Sequence, residues 1–167
     1  MRSVLYASLT VNGYVSHADG ESSIAPEVLA DFARHVQRAG NVIIGRRTFD
    51  LMTATGGGGA LTGADVVVLS TTGDIPGAHV ANRPEEALNI LDARGHTTAL
   101  IGGGAVTDAS FLHAGLVDEL YLNLLPFLSS DGPRLALADG QLTETSLIGI
   151  TTLGTATAQL HYELDRP

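Results

Sequence analysis

The stretch Thr98-Ala99-Leu100-Ile101-Gly102-Gly103-Gly104-Ala105-Val106-Thr107-Asp108-Ala109-Ser110-Phe111-Leu112 runs from a short apolar segment through three consecutive glycines into a helical pattern. An earlier stretch, Asn41-Val42-Ile43-Ile44-Gly45-Arg46-Arg47-Thr48-Phe49-Asp50-Leu51-Met52, has the same order. Each reads strand, turn, helix. The first backbone N–H groups of a helix have no intrahelical partner and carry a partial positive charge, so two such starts at the ends of buried strands form a phosphate-binding face. A dinucleotide pyrophosphate needs such a face. Glycines at a strand-to-helix turn also serve tight packing or positive φ angles. Packing would account for either junction alone; the pair, with Arg46 and Arg47 beside one of them, favours binding.

Working outward, apolar β-rich runs alternate with helical patterns, which predicts a single α/β domain over 1–167 with a largely parallel sheet. A strand is expected over 4–9. A helix follows over Pro26–Ala39, with Pro26 suited to its first turn, Val28, Leu29, Phe32 and Val36 as its apolar stripe, and Gly40 as its stop. After the strand ending at Ile44, residues 53–63 contain Gly56-Gly57-Gly58-Gly59 and are expected to form an irregular, mobile surface loop. A strand over Asp65–Leu69, a helix over Pro84–Ala93, the strand into the triple glycine and a helix ending near Gly115 come next. Strands over 120–125 and 156–164 are expected to close the sheet as a hairpin.

Composition limits the chemistry. The 167 residues are 44% hydrophobic, enough for one well-buried domain. No apolar run approaches the twenty or so residues of a membrane span, and the N-terminus leads into a strand rather than a signal peptide, so a cytoplasmic setting without a membrane partner is expected. With no cysteine and six scattered histidines, neither a disulfide framework nor a metal site is expected. A net charge of −9 argues against a nucleic-acid partner.

In this order, Ala7-Ser8-Leu9 with Asn12-Gly13-Tyr14-Val15, Val42-Ile43-Ile44-Gly45-Arg46-Arg47-Thr48-Phe49, Val68-Leu69-Ser70, Leu100-Ile101-Gly102-Gly103-Gly104 and Phe111-Leu112-His113-Ala114-Gly115-Leu116-Val117-Asp118-Glu119-Leu120 resemble the dihydrofolate reductase-like superfamily. Within it, the chain is similar to stand-alone relatives of the reductase domain of riboflavin biosynthesis. The resemblance covers essentially the whole chain. It implies a mainly parallel sheet of eight strands flanked by helices, with a reduced nicotinamide dinucleotide across the carboxyl ends of the strands. A Rossmann dehydrogenase is the competing reading, but Thr107 stands where its third glycine belongs, and the motif lies late in the chain rather than in an opening βαβ unit.

Arg46 and Arg47 sit where a dinucleotide phosphate would arrive, and a guanidinium grips phosphate oxygens through paired hydrogen bonds. NADPH is therefore the expected cofactor. The resemblance assigns phosphate contacts to Arg46 and to Thr48 as the helix cap, with Arg47 assisting. Gly103, Gly104, Ala105 and Val106 are expected to present N–H groups to the pyrophosphate, Gly45, Ile101 and Gly102 to complete the cofactor face, and Ala7 and Val15 to meet the carboxamide. Ser70 and Thr71 read either as the pair receiving the adenosine side or as an ordinary Ser-Thr turn.

On the substrate side the resemblance points to Ser8, Asp19, Glu27 and Phe49. Dihydrofolate reductases carry a carboxylate one turn before a phenylalanine of the first helix; that position here is Val28, and the apolar stripe places Glu27 and Asp31 on the solvent-facing side. Folate is disfavoured. Riboflavin-pathway reductases tend to carry a carboxylate before the glycines, where this chain has Ile101, which disfavours ribosylaminopyrimidine. His17 or Asp19 could relay a proton, although solvated loop polarity explains either and water could donate instead. The resulting expectation is an NADPH-dependent reductase of a small, cyclic or conjugated C=N or C=O substrate. A ligand-binding module without turnover and a flavin-linked reductase remain open. The nearly continuous apolar run 120–128 predicts a homodimer, because its second face needs a cover, and stand-alone relatives of the riboflavin-pathway reductase commonly pair through this part of the sheet.

Overall fold

The structure, a computed structural model, describes residues 1–15 and 24–165. Its strands are β1 (Arg2–Thr10), β2 (Asn41–Gly45), β3 (Asp65–Leu69), β4 (His79–Ala81), β5 (Thr98–Ile101), β6 (Glu119–Leu125), β7 (Thr145–Leu153) and β8 (Thr157–Leu164). Its helices are α1 (Pro26–Ala39), α2 (Arg46–Ala54), α3 (Pro84–Ala93) and α4 (Ala105–His113). One sheet of eight strands has the order β4-β3-β2-β5-β1-β6-β8-β7. Neighbours from β4 to β6 run parallel, and β8 lies antiparallel between β6 and β7. This is the dihydrofolate reductase-like α/β fold that the resemblance implies. The closing hairpin is not formed by 120–125 and 156–164 as expected. It joins β7 to β8, and the Thr-rich, mixed-polarity β7 gives little period-2 signal because its residues are mostly exposed.

Strands buried on both faces read as continuous apolar runs, and Val42, Ile43, Ile44, Val67, Val68, Ala99 and Ile101 are fully excluded from solvent. Alternate residues feed two cores. One gathers Leu5, Ile43, Val67, Ile101 and Phe111, and the other gathers Val4, Tyr6, Val28, Val36, Val42 and Ile44. At the join between β2 and β5 the ladder is short, with Ile43 facing Ile101 as the registered pair. There the buried Asn41 donates through Nδ2 to the carbonyls of Ala39 (2.9 Å) and Thr98 (2.7 Å), and its Oδ1 accepts the Leu100 N–H at 3.1 Å.

α1 begins at Pro26 and ends at Gly40, whose φ of 69° is left-handed, as the start and stop signals predict. The apolar stripe needs two corrections. Leu29 is 53% exposed, whereas Asp31, expected on the solvent side, is only 8% exposed. The helix buries a second face against β1 and β8, where Asp31 accepts hydrogen bonds from Gln159 (2.7 Å) and Tyr6 (3.0 Å), and from Arg34 (2.9 Å) of the helix itself. Residues 53–63 are also more regular than their glycines suggest. α2 runs to Ala54 and Gly57–Leu61 forms a 3-10 turn, held down by the buried Leu61.

Candidate functional site

The carboxyl ends of β2 and β5 bring the two glycine junctions together. The Gly45 N–H donates to the Gly103 carbonyl at 2.8 Å. A Cβ on Gly45 would come within 2.6 Å of Thr107 Oγ1, and one on Gly104 within 3.2 Å of Thr48 Oγ1, so each glycine admits the helix started by the other junction. Gly102 is required by close approach, since a Cβ there would lie 2.9 Å from the Phe32 ring. Gly103 has φ 96°, a region that side-chain-bearing residues rarely adopt. α2 and α4 start at Gly45 and Gly104 with no side-chain cap on either. Thr48 is therefore not the cap expected of it; it lies inside the first turn of α2 and faces Gly104.

Beside these starts lies a cavity of about 570 Å³. Ala7, Ser8 and Val15 form its wall on the β1 side, Val28, Leu29 and Phe32 on α1, and Thr48, Leu51, Met52 and Thr55 on α2; Gly102, Gly103, Gly104 and Asp108 form its end. The α1 wall is apolar, in keeping with the absence of a carboxylate one turn before Phe32. Of the expected contacts, the structure thus gathers Ala7, Ser8, Val15, Thr48 and the triple glycine. Ile101 is fully buried and belongs to the core. Ala105 opens α4, Val106 is 86% exposed, and Phe49 packs against the second core rather than lining the cavity. Arg46 and Arg47 are exposed at the start of α2, and Arg46 Nε lies 2.9 Å from both carboxylate oxygens of Asp50, one turn on. Ser70 and Thr71 follow β3 and are not among the residues lining the cavity; Ser70 Oγ donates to the Thr72 carbonyl at 3.0 Å within a turn. Glu27 is exposed and lies against Gly154 in the β7–β8 turn, not on the cavity. His17 and Asp19 fall outside the described residues.

Two polar features were not anticipated. From Ser8 on the cavity wall a buried chain runs inward: Asn123 Nδ2 donates to the Ala7 carbonyl (3.2 Å) and Ser8 Oγ (3.4 Å), Gln159 donates to Asn123 Oδ1 (2.9 Å), and Gln159 and Tyr6 both donate to Asp31. Burial pushes the Asp31 carboxyl up, but the hydrogen bonds from Gln159, Tyr6 and Arg34 outweigh it and hold the group below the usual carboxylate range. Burial and the nearby Asp31 raise the Tyr6 hydroxyl well above its ordinary value. The second feature is Asp108, 1% exposed, whose Oδ1 is the buried side-chain polar atom left without a partner among the described residues. Burial alone raises its carboxyl well above the ordinary value. A first-turn acidic residue reads as a partner for the helix dipole. The signal that marks it as interior is its spacing, three and four residues before the buried Phe111 and Leu112, on the same helix face. Among the described residues no group of side chains has a metal-binding arrangement, and no helix is long and apolar enough to cross a membrane.

A sheet of this order with glycine-bearing strand ends, two bare helix starts and an adjoining apolar cavity defines a dihydrofolate reductase-like α/β domain. Residues 4–158 match the model of the RibD C-terminal domain, and the chain belongs to that family. Among solved structures it is similar to a protein from Shewanella sp. PV-4 assigned to riboflavin biosynthesis (20% identity, TM-score 0.77, 99% of this chain and 100% of that one). It is similar also to a pyrimidine reductase-like protein from Corynebacterium diphtheriae (14% identity, TM-score 0.77, 99% and 92%). Acinetobacter baumannii RibD shares the fold at 18% identity and TM-score 0.78, with 98% of this chain matching 58% of that longer protein. No curated protein matches the sequence.

Proposed function

We propose that this protein is an NADPH-dependent reductase that delivers hydride to a small cyclic substrate containing a C=N or C=O bond. The observation that carries the reading is the adjacency of two uncapped helix starts at the mouth of a cavity large enough for a nicotinamide and a small ring. The residues fit a dinucleotide. Free N–H groups of α2 and α4 suit a pyrophosphate, side chains are missing at Gly103 and Gly104 where a cofactor must pass closely, and Arg46 and Arg47 offer positive charge beside them. Family membership supports the reductase class, with a pyrimidine reductase-like protein among its structural neighbours. When bound, the cofactor supplies the hydride. Thr48 and the glycine run would hold its phosphates and Ala7 and Val15 would meet the nicotinamide, while the apolar walls of α1 and α2 would exclude water.

Cofactor titration tests this. NADPH is expected to bind more tightly than NADH, and Arg46→Ala to erase about 1.5 to 3 kcal/mol of that preference. Because Arg46 already lies against Asp50, Asp50→Asn is expected to sharpen the preference. Equal affinities for the two cofactors in the wild type would sink the assignment. We further propose a homodimer as the working form, formed along the late part of the sheet.

A further inference from the structure

Asp108 has no place in the cofactor reading, yet it forms part of the cavity end. Its carboxyl lies beneath the glycine run, where a Cβ on Gly103 would come 3.8 Å from Oδ2 and 4.0 Å from Oδ1. Among the described residues lining the cavity the other titratable side chain is Tyr6, whose hydroxyl is committed to Asp31 and the Val28 carbonyl. Among the described residues Oδ1 of Asp108 has no partner. A buried polar atom is costly unless something bonds it, and Asp108 is one of the residues that line the cavity.

We propose that Asp108 is the proton-bearing residue of the cavity and that the substrate is a cyclic imine whose ring nitrogen docks on its carboxyl. This inference rests on the reductase reading and narrows its substrate class. The Asp108 O–H bond breaks as an N–H bond forms on the imine nitrogen, which makes the adjacent carbon a stronger hydride acceptor. That carbon takes the hydride supplied by the reduced nicotinamide cofactor, the C=N π pair settles on nitrogen, and the product leaves as the ring amine. Water returns a proton to the carboxylate, so one cofactor is oxidised and one proton consumed for each C=N reduced. The choice of imine over carbonyl follows from the apolar wall. A carboxylate there is tolerated only beside a cation; an imine nitrogen is basic enough to hold the proton as an iminium, whereas a carbonyl oxygen is too weak a base to keep it. Burial also keeps the proton on the empty site well above the ordinary carboxylate range, closer to where an imine nitrogen can take it.

The test uses the intact protein without cofactor, isotope-labelled at aspartate carboxyls, and two probes of one shape: the cyclic imine 2-methylpyrroline and its all-carbon counterpart methylcyclopentene. Carbon NMR of the empty wild type at neutral pH is expected to show Asp108 as a neutral acid. Adding the imine is expected to move that signal to the carboxylate position, while the hydrocarbon leaves it neutral. Asp108→Asn is expected to weaken imine binding about tenfold or more and to leave NADPH binding within about twofold. A carboxylate already present in the empty cavity, equal responses to the two probes, or no response to the imine overturns the assignment using the wild type alone. The NADPH titration stands or falls separately, so loss of the reductase reading and loss of the Asp108 site are told apart.

Discussion

Asp108 and Asp31 are both buried aspartates, and their carboxyls are shifted in opposite directions because Asp31 has three hydrogen-bond donors while Oδ1 of Asp108 has no partner among the described residues. The raised value of Asp108 means that, above the unfolded carboxylate value of about 3.9, the folded state keeps a proton that the unfolded chain releases. Its stabilising contribution is therefore complete below that value and is lost as pH rises toward the raised one, with a slope of up to about 1.4 kcal/mol per pH unit. Asp31, held low by Gln159, Tyr6 and Arg34, contributes stability above the ordinary value that disappears as pH falls below it. Urea midpoints measured from pH 4 to 8 should show Asp108→Asn gaining on the wild type as pH rises; a constant gap would contradict the neutral carboxyl. At Gly102 the effect is steric. With the Phe32 ring 2.9 Å from an added Cβ, Gly102→Ala should cost about 1 to 3 kcal/mol of stability by denaturant titration. The two glycine junctions and the helix starts that follow them were legible in the sequence because backbone permissiveness and helix starts leave local marks. Asp108 was not, because its role is set by what closes over α4, which depends on packing rather than on neighbours in the chain.

Among the elements, α1 ran from Pro26 to Gly40 as read, since its boundaries are written in Pro and Gly. Its second buried face could not be read, because the partners of Asp31 outside the helix, Tyr6 of β1 and Gln159 of β8, are distant in sequence. Residues 53–63 show the converse. Four consecutive glycines carry a large entropic cost, yet the turn closes because Leu61 reaches the core beside Val42 and Val66. Leu61→Ala should accordingly cost about 2 to 4 kcal/mol and make the Gly56-to-Ala60 segment a preferred cleavage site in limited proteolysis; unchanged stability would mean that the glycines hold their shape unaided. Because Gly56 and Ala60 belong to the cavity wall, the same variant should weaken NADPH binding.

For the molecule as a whole, the alternating βα pattern disclosed a parallel sheet, but it did not disclose that β8 would insert between β6 and β7. That insertion alters the basis of the expected dimer. The apolar run 120–128 covers an interior strand, β6, paired on both sides, together with Phe127 and Leu128, 43% and 78% exposed, just past its end. The edge at this end of the sheet is β7, nine residues long, with Leu147, Ile148 and Ile150 each at least half exposed. Long edges with apolar side chains are seldom left open. A dimer through β7 is the expected arrangement, and Ile150→Lys should convert it to a monomer in sedimentation at low micromolar concentration. A wild type that sediments as a monomer would remove the dimer altogether.

The short β2–β5 join, stitched by Asn41, bears on how the sheet comes apart. The Leu100 amide is shielded by a side-chain oxygen in place of a neighbouring strand's carbonyl, so the protection of that one proton reports whether the seam is shut. Asn41→Ala would leave the Leu100 N–H without an acceptor and the Ala39 and Thr98 carbonyls without that donor. Amide exchange at Leu100 would then outpace that of the flanking strand interiors, parting β4-β3-β2 from the other five strands along a line that ends at the cavity.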